Sequence, residues 1–378
     1  MNKTDTHSAE YFLQLIKRQR RGKFKIYIGM IAGVGKSYRM LCDAHEMQQQ
    51  GVDVQIGYIE THGRPGTKAL IDGLTVIPRK QVYYKGKLVE EMDVDAIVAR
   101  HPEVVIVDEL AHSNIDGSRN AKRWQDVMNL LDAGINVISA VNIQHIESLN
   151  EEVHHIVGID VGERIPDTVL READEVVNID LTAEELLDRL KAGKIYRKEN
   201  IQQALDHFFQ TDHILRLREL ALKEVAFRVE KKVLSESSAE TQQSPTKRGP
   251  LLACISSHPT SPRHIIRRVS RLAEQYDCSF LVLYVQTPHE NTDNIPLADQ
   301  RHLLDHFKLV AELGGKVVER TSPHVLEAII DLCHEQPIST VCLGQPAFRM
   351  PRILWDIKKY RTFLDALKQL NTDLIILS

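Results

Sequence analysis

Glycines spaced around a lysine and a serine form one short stretch near the N-terminus, Gly33-Val34-Gly35-Lys36-Ser37, called the glycine loop below. An apolar run, KIYIGMI, precedes it, and an amphipathic run, KSYRMLCDAHEMQQQG, begins inside it. Glycines let the backbone curl so that successive amide N–H groups point inward, and a following helix N-terminus adds to this anion-binding nest. The stretch therefore predicts a phosphate-binding loop between a strand and a helix.

The glycine loop departs from the usual pattern at one position. Where GxxxxGK[ST] begins with glycine, this sequence has Met30, and Gly29 stands one residue earlier. A glycine-rich turn whose lysine is a surface charge is the plain structural alternative. We predict that the glycine loop and Tyr38 bind ATP, with Lys36 on the outer phosphates and Ser37 on Mg²⁺.

A pair of acids follows another apolar run. The stretch VVIVDE places Asp108 and Glu109 directly after aliphatic residues, as expected at the end of a buried parallel strand. A phosphate-binding fold holds its magnesium partner there, so Asp108 is predicted to bind Mg²⁺. Glu109 is predicted to polarise a water if the nucleotide is hydrolysed, and Glu60 is a second candidate. Acidic capping of a helix N-terminus is the structural alternative.

Further polar residues follow the predicted strands. The carboxyl ends of parallel strands form the edge at which open α/β folds bind ligands. Each of these residues also has an ordinary explanation as a loop-capping residue. Together they predict a polar floor for the site, with four candidates for phosphate contact or support: His62, Arg64, His112 and Asn142.

The elements that must position these residues follow from the apolar periodicity. Short apolar runs alternate with helical patterns up to about residue 180, which predicts a mostly parallel, doubly wound sheet with helices on both faces. The pattern from 181 to 233 is helical. A polar, aperiodic stretch, SESSAETQQSPTKRGP, predicts a linker. After it, apolar and helical runs alternate again, which predicts a second, smaller doubly wound α/β domain.

These patterns give a predicted domain organisation. It comprises an N-terminal helical lead-in (1–21), a nucleotide-binding domain (22–234), a linker (235–249) and a second α/β domain (250–378).

Composition restricts the class of protein. The chain has 378 residues, of which 43% are hydrophobic and 26% charged, which is typical of a globular protein. A formal net charge of −4 gives no overall field that would attract nucleic acid. The five cysteines show no CxxC spacing, which suits a reducing compartment. Neither a signal peptide nor an apolar run of ~18 residues is present in the sequence. We expect a cytoplasmic protein that neither binds nucleic acid nor inserts into a membrane.

Several long phrases identify a family resemblance when taken in order. They include GKFKIYIGMIAGVGKSYRML, GYIETHGR, DELAHSN, RWQDVMNLLDAGINVISAVNIQHIESLN and LRELALKEVAFRVEKKV. Residues 11–233 resemble the N-terminal sensor domain of the osmosensitive potassium-channel histidine kinase, the sensor of the Kdp two-component system. The region after the linker resembles the universal-stress-protein-like domain that follows in that family.

The resemblance implies a regulatory role for ATP. A nucleotide at the glycine loop would adjust a sensor kinase that controls expression of a potassium-transport ATPase. The resemblance assigns Gly33, Gly35, Lys36 and Ser37 to phosphate and Asp108 to Mg²⁺.

The transmitter motifs of the full-length kinase have no counterpart in this sequence. No histidine stands in an H-E-x-x-[ST]-P setting, and no D-x-G-x-G element is present. We therefore expect a free-standing sensory portion, without transmembrane or transmitter modules, that cannot phosphorylate itself. It would act in trans on a sensor kinase transmitter, peripheral to the inner membrane through that partner, and a homodimer is a further expectation.

A ligand site in the second domain is a further expectation. Gly344 lacks the later glycines of G-x2-G-x9-G-[ST], so ATP is not expected there. Some Kdp sensors bind cyclic di-AMP in this domain through a serine pair and a Phe-x-x-x-Tyr strand. The resemblance places Ser256, Ser257, Phe280 and Tyr284 with Gly344 at such a site. The aromatic pair fits a buried strand equally well.

Two alternative functions stay open. One is a slow phosphate-loop NTPase or small-substrate kinase, with Glu109 or Glu60 as the base. The other is a non-catalytic scaffold or cyclic-di-AMP-binding module in which the glycine loop is vestigial. Sustained phosphate release would favour the first, and a complete lack of ATP binding would leave the second.

Overall fold

The computed structural model describes residues 20–84, 86–196, 198–241, 249–257, 261–288, 295–344 and 353–377. The chain separates into two compact units at Ser235 and Glu236, except that the short segment Pro166–Thr168 is grouped with the second unit. The first unit holds a six-stranded sheet and a two-stranded sheet, and the second unit holds a five-stranded sheet. Among the residues described, no helix combines the length and hydropathy that crossing a membrane requires.

The strands of the first unit are β1 (Phe24–Gly29), β2 (Val54–Tyr58), β3 (Thr75–Val76), β4 (Lys80–Tyr84), β5 (Lys87–Glu91), β6 (Val104–Val107), β7 (Asn136–Asn142) and β8 (Glu175–Ile179). The helices before and across the boundary are α1 (Lys36–Gln49), α2 (Pro65–Ala69), α3 (Val94–Arg100), α4 (Arg123–Asp132), α5 (Asn150–Val157), α6 (Asp167–Arg171), α7 (Ala183–Lys191), α8 (Lys198–His207) and α9 (Thr211–Thr241).

The larger sheet of the first unit has the order β3-β2-β6-β7-β1-β8, and its strands pair in parallel. Parallel sheets covered on both faces have nearly continuous apolar strands, and β1 is buried along almost its whole length. Ile26 and Ile28 enter the core on one face, whereas Tyr27 enters the core on the other. The predicted parallel α/β fold of this region is confirmed.

Strand pairing decides which strand ends meet. Gly29 at the end of β1 pairs with Asn142 at the end of β7, and Val107 at the end of β6 pairs with Ser139. β7 therefore separates β1 from β6, while the carboxyl ends of all three strands lie at one edge of the sheet. The segments that follow β1 and β6 are the glycine loop and Asp108 with Glu109.

Helix α1 is anchored to the sheet by its apolar face and by one buried carboxylate. Met40 and Leu41 are fully buried in the core that also holds Tyr27. Asp43 accepts a hydrogen bond from the Tyr27 hydroxyl, and its other oxygen lies 2.7 Å from Arg39 Nε. Since α1 begins at the glycine loop, this anchoring also fixes the position of the loop.

Some elements differ from the sequence expectation. Apolar patterning did not reveal β3, the antiparallel β4–β5 pair or β8. Helix α9 runs to Thr241, so the first part of the predicted linker is helical rather than aperiodic. Polar residues with high helix propensity, such as the glutamates and alanine of SESSAET, continue the helix without an apolar stripe. Residues 242–248 and the predicted lead-in up to residue 19 lie outside the described residues.

The second unit is a smaller α/β fold. Its strands are β9 (Leu251–Ile255), β10 (Phe280–Gln286), β11 (Lys316–Thr321), β12 (Thr340–Gly344) and β13 (Asp373–Leu377), and its helices are α10 (Ser261–Gln275), α11 (Leu297–Glu312), α12 (Val325–Glu335) and α13 (Ile353–Gln369). The strands pair in parallel in the order β11-β10-β9-β12-β13. The elements predicted from the apolar runs of this region are therefore present.

Candidate functional site

The glycine loop turns from β1 into α1 through two residues in the left-handed region. Gly33 has φ of 92° and Gly35 has φ of 110°, which side chains with a Cβ strongly disfavour. Gly35 is the N-cap residue of α1, and no side chain caps the amides of the first helical turn. Free first-turn N–H groups and the positive end of the helix dipole together favour an anion at this position.

The missing first glycine of the motif has a structural explanation. Met30, which takes that place, is 1% exposed and belongs to the core. A Cβ atom at Gly29 would lie 2.6 Å from Val34 Cγ2 and 3.3 Å from Lys36 Nζ. Gly29 therefore provides the close approach between the end of the strand and the lysine, and the glycine requirement has moved by one residue. Val34 itself is 2% exposed, so it would contribute through its backbone.

Lys36 lies folded over the loop. Its Nζ donates to the Ile31 carbonyl at 3.3 Å and to Asn142 Oδ1 from the end of β7. Burial lowers the pKa of Lys36 to about 8, while the charge of Asp108 opposes that shift and the charge of Arg64 adds to it. The structure thus brings together the lysine and one of the four predicted supporting residues, Asn142.

Ser37 and Asp108 are in direct contact. Ser37 Oγ donates to Asp108 Oδ2 at 2.6 Å, and Asp108 is 5% exposed. The second oxygen of Asp108 accepts the Glu109 N–H at 2.8 Å, which orients the carboxylate. A hydroxyl and a carboxylate side by side are the hard oxygen donors that Mg²⁺ prefers. No cluster of three His, Cys, Asp or Glu residues in the described part of the chain could hold a metal alone, so Mg²⁺ here would also need nucleotide oxygens.

Glu109 is held by a buried arginine that sequence patterns did not single out. Arg123 is 0% exposed, and its Nη1 lies 3.5 Å from Glu109 Oε2 and donates to the Asp108 carbonyl at 3.3 Å. Its Nη2 lies 3.4 Å from Glu91 Oε2, and its guanidinium stacks on the Tyr58 ring with a centroid distance of 3.6 Å. The only sequence signal is a basic residue at the start of an amphipathic helix, which usually lies on the surface.

Neighbouring groups shift the pKa of Glu109 in opposite directions. Burial raises the pKa of Glu109, the charge of Asp108 raises it further, and Arg123, His62 and His112 oppose this. His62 Nε2 lies 3.6 Å from Glu109 Oε1, so the predicted histidine does reach the acid. The Glu109 backbone has φ of 53°, an uncommon conformation for a residue with a side chain, which is typical of functional sites.

Of the remaining predicted residues, Glu60 and His112 contact groups outside the glycine loop, and Tyr38 is exposed. Glu60 Oε1 accepts the His62 N–H at 3.0 Å, which is the loop-capping role given as its alternative. His112 Nε2 lies 3.2 Å from Glu91 Oε1, and Glu91 is the other carboxylate that Arg123 contacts. Tyr38 is 50% exposed, and its side chain is therefore accessible at the first turn of α1.

The end of α7 and the residues that follow it contact the glycine loop; residues 189–196 are called the strap below. Arg189 Nη1 donates to the carbonyls of Gly33 and Val34 at 3.3 and 3.4 Å. A Cβ atom at Gly33 would lie 2.4 Å from Ile195 Cδ1, so glycine is also required by this packing. Arg64 Nη2 donates to the Ile195 carbonyl at 3.3 Å. Sequence patterns gave no sign of these contacts.

The predicted second ligand residues are placed largely in the core of the second unit. Phe280 is 3% and Tyr284 0% exposed, and the Tyr284 ring packs edge-on against Phe307 at a centroid distance of 6.0 Å. Ser257 is also buried, and the segment after Gly344 lies outside the described residues. The buried aromatic rings agree with the alternative that they are core residues of a strand.

Comparison with known proteins identifies the first unit. The family model described as "Osmosensitive K+ channel His kinase sensor domain" matches residues 20–229. The sensor protein KdpD of Escherichia coli is 38% identical over 355 residues, which cover 94% of this chain and 39% of that protein. The KdpD of Clostridium acetobutylicum is 43% identical over 333 residues, covering 87% of this chain and 36% of the relative.

Coverage differs among the relatives. The putative sensor protein KdpD of Synechocystis is 42% identical over 328 residues, which cover 86% of each chain. By contrast, the chain spans less than two fifths of the length of the Escherichia and Clostridium relatives.

Solved structures were also similar to part of the chain. The universal stress protein of Archaeoglobus fulgidus covers 34% of this chain at 11% identity, with a TM-score of 0.26. The complex of that organism's universal stress protein with dAMP covers 35% at 12% identity, with a TM-score of 0.25. On the match over residues 20–229 and on these relatives, the chain belongs to the KdpD family of osmosensitive K⁺ channel His kinase sensor domains.

Proposed function

We propose that this chain is a cytoplasmic ATP-binding sensory module of a potassium-responsive two-component system. The observation that carries the proposal is the direct hydrogen bond from Ser37 to Asp108, 2.6 Å long, beside Lys36. It joins two sequence motifs far apart in the chain at the uncapped N-terminus of α1. A hydroxyl, a carboxylate, a lysine and free amides are the set of groups that binds a nucleotide phosphate with Mg²⁺.

The charges around the glycine loop suit a polyphosphate. The charge of Arg64 lowers the pKa of Lys36, and the charge of Asp108 raises the pKa of both groups. Two cations opposite one carboxylate leave a positive site for phosphate oxygens, while Asp108 with Ser37 would hold Mg²⁺. Mg²⁺, when bound, would neutralise further phosphate charge. Asn142 orients Lys36, and the left-handed glycines orient the amides.

Regulation requires that ATP stabilise one conformation more than another. A coupling of about 1–3 kcal/mol is enough to shift a partner between its states. We propose that the partner is the transmitter of a sensor kinase that controls potassium uptake, met in trans, and that the chain forms a homodimer. The second unit is proposed to be universal-stress-protein-like, and the cyclic-di-AMP or scaffold function remains the alternative if ATP does not bind.

Removal of Mg²⁺ tests the proposal on the wild-type chain. We expect ATP affinity, measured by calorimetry, to fall roughly tenfold when EDTA replaces Mg²⁺, because phosphate charge then meets the Asp108 carboxylate directly. Asp108→Asn should remove this dependence on Mg²⁺, whereas Asp95→Asn, at an exposed position in α3, should keep it. Equal wild-type affinity with and without Mg²⁺ would contradict the proposed metal site.

A second candidate function, slow ATP hydrolysis, is favoured by the position of Glu109. Its carboxylate is 36% exposed, so water can reach it, and it is held between His62 and Arg123. Sustained phosphate release by the purified chain should fall by at least roughly 100-fold in Glu109→Gln, since the amide cannot accept the proton of an attacking water. ATP affinity should stay within about threefold, because glutamine keeps the size of the side chain. Undiminished release in this variant would exclude Glu109 as the base.

A further inference from the structure

Arg64 is a partly buried cation without a counter-charge of its own. Its Nη2 donates to the Ile195 carbonyl, while its buried Nε has no hydrogen-bond partner among the described residues. No described carboxylate lies within ion-pair distance of its guanidinium, and burial lowers the pKa of Arg64. A partly buried guanidinium whose buried Nε–H lacks an acceptor is costly, so this arrangement points to an anion that completes its hydrogen bonds.

The position of Arg64 narrows the identity of that anion. Ile195, the acceptor of its hydrogen bond, packs against Gly33, so the guanidinium lies beside the glycine loop, and its charge lowers the pKa of Lys36. Arg64 lies in the segment after β2, however, whereas the glycine loop follows β1. The two therefore reach the site from the ends of different strands. The loop amides meet the phosphates that a diphosphate and a triphosphate share, whereas Lys36 would reach the outer phosphates. Arg64 is a further cation that does not belong to the glycine loop, and it is therefore suited to bind the terminal phosphate of a triphosphate.

The strap contains the residue that accepts the hydrogen bond from Arg64. Ile195, whose carbonyl accepts from Arg64, packs its side chain against Gly33, and Arg189 holds the carbonyls of Gly33 and Val34. The Ile195 carbonyl is a neutral acceptor, so a negatively charged phosphate oxygen, which can pair with the guanidinium in a bidentate way, would outcompete it. Occupancy by the terminal phosphate would thus alter a contact on which the strap depends.

We propose that Arg64 is the residue that makes this site prefer a nucleoside triphosphate to a diphosphate, and that the strap responds by exchanging its contact with Arg64. This inference rests on the proposed function and names the nucleotide state that the module reads. The loop amides do not provide this distinction, since they bind the phosphates present in either nucleotide.

The test compares two nucleotides on the full chain by calorimetry with Mg²⁺ present. The probes are ADP and the β,γ-imido analogue of ATP, which avoids hydrolysis. Arg64→Met should weaken binding of the triphosphate analogue roughly tenfold or more and leave ADP within about threefold. Arg64→Lys should be intermediate, because the charge stays and the planar fork is lost. Arg119→Met, at an exposed arginine paired with Asp95, is the matched control and should bind both as wild type does.

A second readout follows the strap itself. Amide hydrogen exchange over residues 189–196 should change on adding the triphosphate analogue to the wild type, and should not change in Arg64→Met. Thermal unfolding shows whether each variant is folded. If Arg64→Met does not fold, the comparison of the two nucleotides is made with Arg64→Lys.

The outcomes separate this inference from the function on which it rests. If Arg64→Met weakens both nucleotides equally or leaves the triphosphate unaffected, Arg64 is not the discriminating residue, although the chain binds nucleotide. A wild type that binds the two with equal affinity also overturns the inference. If the wild type binds neither nucleotide, the proposed ATP-binding function fails, and this inference fails with it.

Discussion

Lys36→Met is expected to reduce ATP affinity by on the order of 100-fold, since two charge-assisted hydrogen bonds of about 1.5–3 kcal/mol each would be lost. The ammonium is the cation that the glycine loop itself supplies, and Asn142 and the Ile31 carbonyl hold it in place. Methionine keeps the length of the apolar stem and removes a buried charge, so the fold should be retained. Calorimetric titration of Mg-ATP measures the effect.

The control for this variant is a lysine outside the site. Lys87→Met, on the exposed β4–β5 hairpin, removes the same charge from the chain and should leave ATP affinity unchanged. Wild-type affinity in Lys36→Met would mean that the glycine loop is not the nucleotide site. The scaffold alternative would then be the better description of the first unit.

Arg123→Met is expected to destabilise the first unit by about 3–5 kcal/mol, because removing one partner of a buried ion pair leaves an uncompensated charge. Glu91 is 6% exposed and would lose Arg123, while His112 and the Ile115 N–H would remain beside its carboxylate. The stacking on Tyr58 and the hydrogen bond to the Asp108 carbonyl would be lost as well. The free energy of unfolding in urea measures the effect.

The two units need separate signals in this measurement. The chain has two tryptophans, and Trp124 lies beside Arg123, so a Trp355→Phe background lets Trp124 report on the first unit. The double variant Arg123→Met with Glu91→Gln should recover much of the lost stability, since the orphaned carboxylate is then neutral. A loss below about 1 kcal/mol in Arg123→Met would show that the buried arginine is not a structural hub.

The local parts of the site could be predicted from the sequence. Apolar runs that alternate with amphipathic runs predicted the parallel sheets of both units, because burial on two faces requires such runs. Gly33, Gly35, Lys36 and Ser37 are neighbours in the chain, so their turn from strand to helix followed from their own conformational preferences. Asp108 was predicted for the same reason, since an acid that ends a buried strand lies at the ligand-binding edge.

Contacts between groups that are far apart in the chain could be identified only from the tertiary structure. Sequence periodicity fixes the face on which a side chain lies but carries no information on strand order, so the insertion of β7 between β1 and β6 was not foreseen. For this reason Asn142 meets Lys36, Arg123 is buried beneath the acids, and Ile195 packs on Gly33. The burial of Phe280 and Tyr284 could not be predicted either, because aromatic residues at this spacing fit a core strand and a ligand site equally well. In the structure both side chains are buried.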